Sequence, residues 1–219
     1  MQSSELPNII VPAYLMTFGQ ALRPCLEKVE RTLYTMYHPP FAGVDGLSEP
    51  GDILDRAGTA CGNMDRLADD MMTQILANPN VTVETTYRYV GRFEGNLDNL
   101  LNACEEAIYI DFHDYPEAKR LLLAGLGNLL EQIRDWLKDI CDTIDDPLQA
   151  YQNRPYGMED GTAVFSFNLV LKAPPEFKQL HELTQHIERS TASSGRGFWN
   201  TVGTLVLGFA VADWLFDDD

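Results

Sequence analysis

Basic residues are scarce in this sequence. Lys and Arg number 16 against 33 Asp and Glu, a formal net charge of −17 over 219 residues. So acidic a chain repels nucleic-acid phosphate and anionic headgroups, which argues against a nucleic-acid partner. Paired cysteines are missing as well. Cys25, Cys61, Cys104 and Cys141 are spread along the chain with no C-x-x-C. Structural zinc sites use close ligand pairs, whereas a free cysteine packs as a small hydrophobe, so core packing is the expected role of all four. Met1 to Pro12 has no basic n-region and is interrupted by Glu5, Pro7 and Pro12. It does not read as a secretory leader, and reduced thiols in a cytosol-facing body are expected.

Catalytic signatures are absent too. No Glu-x-x-His occurs in the sequence, and a helical bundle needs that pair for a di-iron centre. There is no Walker loop and no G-x-S-x-G elbow. Gly125-Leu126-Gly127 lacks the third glycine of a dinucleotide fingerprint, and close helix packing is its expected role. His181 and His186 stand five apart, about 140° around a helix, where a zinc-protease pair needs a spacing of four. They read as two histidines on a solvated helix. Arg88 and Arg92 share a helical face, and pairing with carboxylates such as Glu84 is expected. Asp111, His113 and Asp114 read as a polar interhelical turn; an acid–base site there is the competing enzyme reading. We assign no catalytic residue, no cofactor and no metal, and read the chain as non-enzymatic.

Against these absences stands one long apolar stretch. Residues 198–216 form a run with no charge between Val202 and Ala212. About 20 residues as a helix span roughly 30 Å, the thickness of a bilayer core. Phe198 and Trp199 stand at one end and Trp214 and Phe216 at the other, as aromatic rings do at the two headgroup levels. Gly203 and Gly208 weaken a helix, and with the four aromatic residues they are the candidate membrane or association positions. Arg196 precedes the run and Asp217 to Asp219 follow it, which suits a single-pass C-terminal anchor with the body in the cytoplasm, inserted after synthesis. The alternative is a helix buried in the core or in a homo-oligomer interface. Asn200, Thr201, Thr204 and Asp213 favour it, because each is unfavourable in lipid.

Upstream, 45% hydrophobic residues suffice for a sizeable core. Residues 1–10 read as a loose lead-in. Apolar positions at steps of three and four then predict four helices within 1–150, an antiparallel four-helix bundle. The first stripe is Leu15, Phe18, Leu22, Cys25, Val29, Leu33 and Met36, with Pro24 expected to kink or split it. The second follows a Ser48 cap as Leu54, Ala57, Cys61, Met64, Leu67, Met71 and Ile75. The third follows a Thr82 cap as Tyr87, Val90, Phe93, Leu97, Leu101, Cys104 and Ile108. The fourth starts at Pro116 and runs through Leu122, Leu126, Leu129, Ile133, Trp136 and Ile140.

In residues 151–190 the period changes. Phe165, Phe167, Leu169 and Leu171 alternate with other side chains, which predicts a strand. One strand cannot stand alone, so it pairs with the segment before it or with a second copy, and its edge is a candidate for self-association. Phe177, Leu180, Leu183 and Ile187 predict a short amphipathic helix, and residues 191–197 a hinge. The expected function is protein–protein interaction or self-association at a membrane, as scaffold or pore. The alternative is a soluble acidic binding module that recognises a basic partner.

Overall fold

The computed structural model describes residues 6–37, 41–42, 44–47, 49–78, 80–112, 115–147, 149, 152, 156–159, 162–165 and 171–193. Its helices are α1 (Leu6–Thr35), α2 (Ile53–Ala77), α3 (Val83–Ala107), α4 (Pro116–Asp145) and α5 (Pro175–Ser193). Two four-residue strands, β1 (Tyr156–Glu159) and β2 (Thr162–Phe165), lie between α4 and α5. The body is an all-α bundle of four long antiparallel helices packed in sequence, with a fifth added.

The direction of each helix follows from who meets whom. Gly19 faces Met72 while Glu30 lies near Gly62, so α1 and α2 run oppositely. Arg56 of α2 pairs with Glu106 of α3, and the Tyr87 hydroxyl of α3 donates to Asp145 of α4. Tyr14 of α1 donates to Asp139 of α4, which closes the ring. α5 packs on α4 and α1. Leu171, Phe177 and Leu180 thereby join the same core as the bundle.

At the centre of that core, the Phe18 ring meets Phe93 edge-on at 5.1 Å and lies 5.6 Å from Trp136. Three helices are joined there by aromatic contact, which offset and edge-to-face geometries favour. One end is closed by Phe41, packed edge-on against Tyr115 at 5.4 Å. The C-terminal carbonyls of α3 have no basic residue in their own last turn. Lys119 of α4 supplies the charge, its Nζ donating to the carbonyls of Ile108 and, at 2.6 Å, Ile110.

Several expectations hold residue by residue. Thr82 caps α3, its hydroxyl accepting from Thr85 N at 3.1 Å. Pro116 is the first residue of α4, and every predicted stripe position of α1, α2 and α4 is buried. Gly125 is a close-packing glycine: a Cβ there would stand 3.0 Å from Phe177 Cε1. Gly127 faces open space.

Others are corrected. α1 begins at Leu6, where a loose lead-in was expected, and it passes Pro24 as one helix. Pro24 and Gln20 are both on the solvent side, so water can serve the Gln20 carbonyl that the proline leaves without a partner. Position 48 lies outside the described residues, and the N-cap of α2 is Asp52. Asp52 Oδ2 accepts from Glu49 N, and Asp55 Oδ2 accepts from Gly51 N, both at 2.9 Å. The chain turns there at Gly51, whose φ of 88° favours glycine.

The third stripe is also corrected. It takes Thr86, Val90, Phe93, Leu97, Leu100, Ala103 and Ala107 inward. Tyr87 and Ile108 are exposed, and Leu101 and Cys104 are half-buried. After Leu97 the seam steps by three to Leu100, where the prediction stepped by four to the adjacent Leu101.

Most of the predicted strand, residues 166–170, lies outside the described residues, and the described strands come just before it. β1 and β2 pair antiparallel, Tyr156 opposite Phe165 and Glu159 opposite Thr162, so the partner is the segment immediately before. Phe165 is the last residue of β2. Leu171 lies outside the strand and is buried.

Candidate interaction cleft

Polar residues recur at helical spacing on the outer faces of α2 and α3. Asp55, Thr59 and Asn63 fall four apart on α2, and Asn99, Asn102 and Glu106 fall three and four apart on α3. Residues at such spacings share one face. Because the two helices are antiparallel neighbours, these faces line the two walls of one open cleft of about 590 Å³.

Three carboxylates line it, those of Asp55, Glu105 and Glu106, against one guanidinium, Arg56. Arg56 spans the walls and gives two hydrogen bonds to the two carboxylate oxygens of Glu106. Those bonds hold the Glu106 carboxyl below the usual carboxylate range. They leave Asp55 and Glu105 as charges that Arg56 does not pair. At the mouth Tyr109 is 88% exposed, beside the exposed Ile108.

A second groove, of about 530 Å³, lies between α1 and α2. Three carboxylates, those of Glu27, Glu30 and Asp65, line it against one guanidinium, Arg23. Arg23 bonds Asp65 at 2.9 Å and Asp69 at 2.7 Å, and Arg31 takes Glu27 at 2.6 Å. The two clefts carry the same balance of lining charges, and the α2–α3 cleft differs in its exposed Tyr109 and in Asn63, Asn99 and Asn102. It was legible only as two polar stripes, and no motif marks it.

The association residues predicted from sequence fall elsewhere. Phe198, Trp199, Gly203, Gly208, Trp214 and Phe216 lie outside the described residues, as do Phe167, Leu169 and 194–197 of the predicted hinge, whose positions 191–193 instead continue α5 as helix. Among the described residues no helix is long and apolar enough to cross a membrane. His113 and Asp114 are likewise outside, and Asp111 is exposed. Arg88 pairs with Glu84 at 3.6 Å, as expected. His186 is exposed, but His181 is buried, which corrects the solvated reading. Its Nε2 is 2.9 Å from Gln185 Nε2, and burial lowers its pKa against the pull of Glu182.

Among the described residues no group of three or more His, Cys, Asp or Glu is placed to hold a metal ion. The four cysteines are free; Cys25 and Cys61 are buried, Cys104 and Cys141 half-buried. Burial pushes the Cys25 thiol up to about 12 and that of Cys104 to about 11. Burial raises Cys61 and Cys141 too, with nearby acidic groups adding to it. The thiolate is the reactive form, so native thiols should label slowly near neutral pH. With a disulfide reagent, Cys104 and Cys141 should react first, about tenfold faster per pH unit up to their pKa. Cys25 and Cys61 should wait for denaturant. Fast labelling of Cys61 in the native protein would contradict its place in the core.

The described residues thus define an all-α helical-bundle protein with an acidic cleft. No protein-family model, no curated protein and no solved structure matches the chain.

Proposed function

We propose that this is a non-enzymatic, membrane-anchored acidic protein that works by protein–protein interaction or self-association at a membrane. Residues 198–216 are the single-pass anchor, and the bundle faces the cytoplasm. One observation carries the reading: the described body closes its own core. Its exposed large apolar residues are Tyr34, Leu76, Val83, Tyr87, Ile108 and Tyr109. Leu76 and Val83 flank the α2–α3 turn, and Ile108 and Tyr109 lie at the opposite end of α3. No continuous apolar stripe among the described residues awaits a helix of about 20 residues, so burial of 198–216 in this core gains little support. Lipid or a second copy remains to cover it.

The experiment is a membrane fractionation. The full chain and a truncation ending at Ser194 are expressed and washed with alkaline carbonate. The full chain should stay in the membrane pellet, and the truncation should be soluble and helical. A full chain that is soluble and monodisperse without detergent would overturn the anchor. The alternative, an acidic binding module with 198–216 in an oligomer interface, would then replace it.

A further inference from the structure

We propose that the cleft between α2 and α3 receives an arginine- or lysine-bearing segment of a partner protein. The inference rests on the reading of this chain as an interaction protein and names the chemistry of its partner. Three features of the cleft converge on it. The first is charge: Asp55 and Glu105 face the cleft, while its one guanidinium is engaged by Glu106. A cation entering there gains attraction from both carboxylates.

The second feature is the aromatic face at the mouth. Tyr109 is 88% exposed, and it lines the same cleft as Glu105. An exposed tyrosine ring within reach of carboxylates suits a guanidinium, which can stack on the ring while its N–H groups reach the acids. The third is the set of amides. Asn63, Asn99 and Asn102 line the walls, and each amide carries both donor and acceptor atoms. Such groups match the alternating N–H and C=O of a peptide backbone. Carboxylates for the charge, a ring for the stack and amides for the backbone together describe a basic peptide segment.

The surroundings strengthen the field. Asp52 lies at the start of α2, close enough to Arg56 and to Tyr37 to act on both. The Tyr34 ring, 62% exposed, lies 6.2 Å from that of Tyr37. This end of the bundle therefore carries further negative charge and a second exposed aromatic face.

The test uses the full chain, in detergent micelles, and a fluorescein-labelled octa-arginine peptide followed by anisotropy. Three variants are compared. Asp55→Asn with Glu105→Gln removes two charges from the cleft, and the new Asn keeps an acceptor for Gly51 N. Glu131→Gln with Asp135→Asn removes two charges from exposed positions on α4. Tyr109→Ala removes the ring. The cleft pair should weaken binding about tenfold at near-physiological salt, and the α4 pair less than about twofold. Tyr109→Ala should weaken it about twofold to fivefold. Equal losses for the two charge pairs would show attraction to the whole acidic surface and overturn the proposal. Absence of peptide binding by the parent chain would overturn it as well. If the peptide fails to bind while the full chain still pellets with membranes, the cleft inference falls and the membrane reading stands. If the cleft binds as stated while the full chain needs no detergent, the anchor falls and the cleft stands.

Discussion

Replacing Phe18 by alanine should cost about 3–5 kcal/mol of stability. The side chain is fully buried where three helices meet, edge-on to Phe93 at 5.1 Å and 5.6 Å from Trp136. Truncation removes the apolar area of a whole ring and leaves a cavity. Two large aromatic neighbours and the surrounding helices cannot collapse into it without moving backbone. The aromatic contacts add about 0.5–1.5 kcal/mol beyond area. For a chain of this size each kcal/mol moves the melting point by about 2–4 °C, so a fall of roughly 6–20 °C is expected. The control is Leu76→Ala at a position 75% exposed, which should stay within about 0.5 kcal/mol of the parent. If the two variants melt within a degree or two of each other, α1 is not seated in the core as described.

The reach of the sequence can be judged from particular elements. α4 was readable throughout, because Leu122, Leu126, Leu129, Ile133, Trp136 and Ile140 are all large and all point inward. A stripe of large residues leaves one phase for the helix. In α3 the same reasoning slipped by one residue at Tyr87 and again after Leu97. The true seam there uses Ala103 and Ala107, which are small, while Leu101 and Ile108 look more apolar and face partly or wholly outward. Hydrophobicity reports area, and close packing of antiparallel neighbours sometimes wants a small side chain instead.

Proline was over-weighted at Pro24 for a related reason. Its cost depends on whether the orphaned carbonyl meets water, which is a tertiary fact. The local devices fared better. Thr82 as a cap and Pro116 as a first helical residue are set within one turn of chain, and both are observed. The cleft lay beyond reach because it joins α2 to α3. Neither polar stripe distinguishes itself from an ordinary solvated face until the antiparallel pairing brings Asp55 and Arg56 opposite Glu105 and Glu106.

Two glycines in one helix should respond in opposite directions. At Gly127 of α4 nothing lies within 4 Å of an added Cβ. Alanine there limits the unfolded chain and favours the helix, so Gly127→Ala should stabilise by about 0.4–1 kcal/mol. At Gly125 the added atom would stand 3.0 to 3.2 Å from three carbons of the Phe177 ring. That ring is buried, 2% exposed, and the α5 backbone holds it against α4. Gly125→Leu therefore forces α4 and α5 apart and should cost about 1–3 kcal/mol.

The loss should be local. Amides of α5 near Leu180 and Thr184 should lose hydrogen-exchange protection, while those of α2 near Met64 keep theirs. Phe177→Ala removes the obstructing ring, so Gly125→Leu should cost less in that background, with a coupling of about 0.5–3 kcal/mol. An equal cost in both backgrounds would mean that α5 does not rest on Gly125. The Gln132 side chain accepts from Lys172 N at 2.9 Å and donates to Lys172 O at 3.1 Å, which fixes the entry to α5 separately. Gly125→Leu should thus loosen the helix while Lys172, before its start, stays tethered. If residues 198–216 anchor the chain, α5 is the last described element before the anchor.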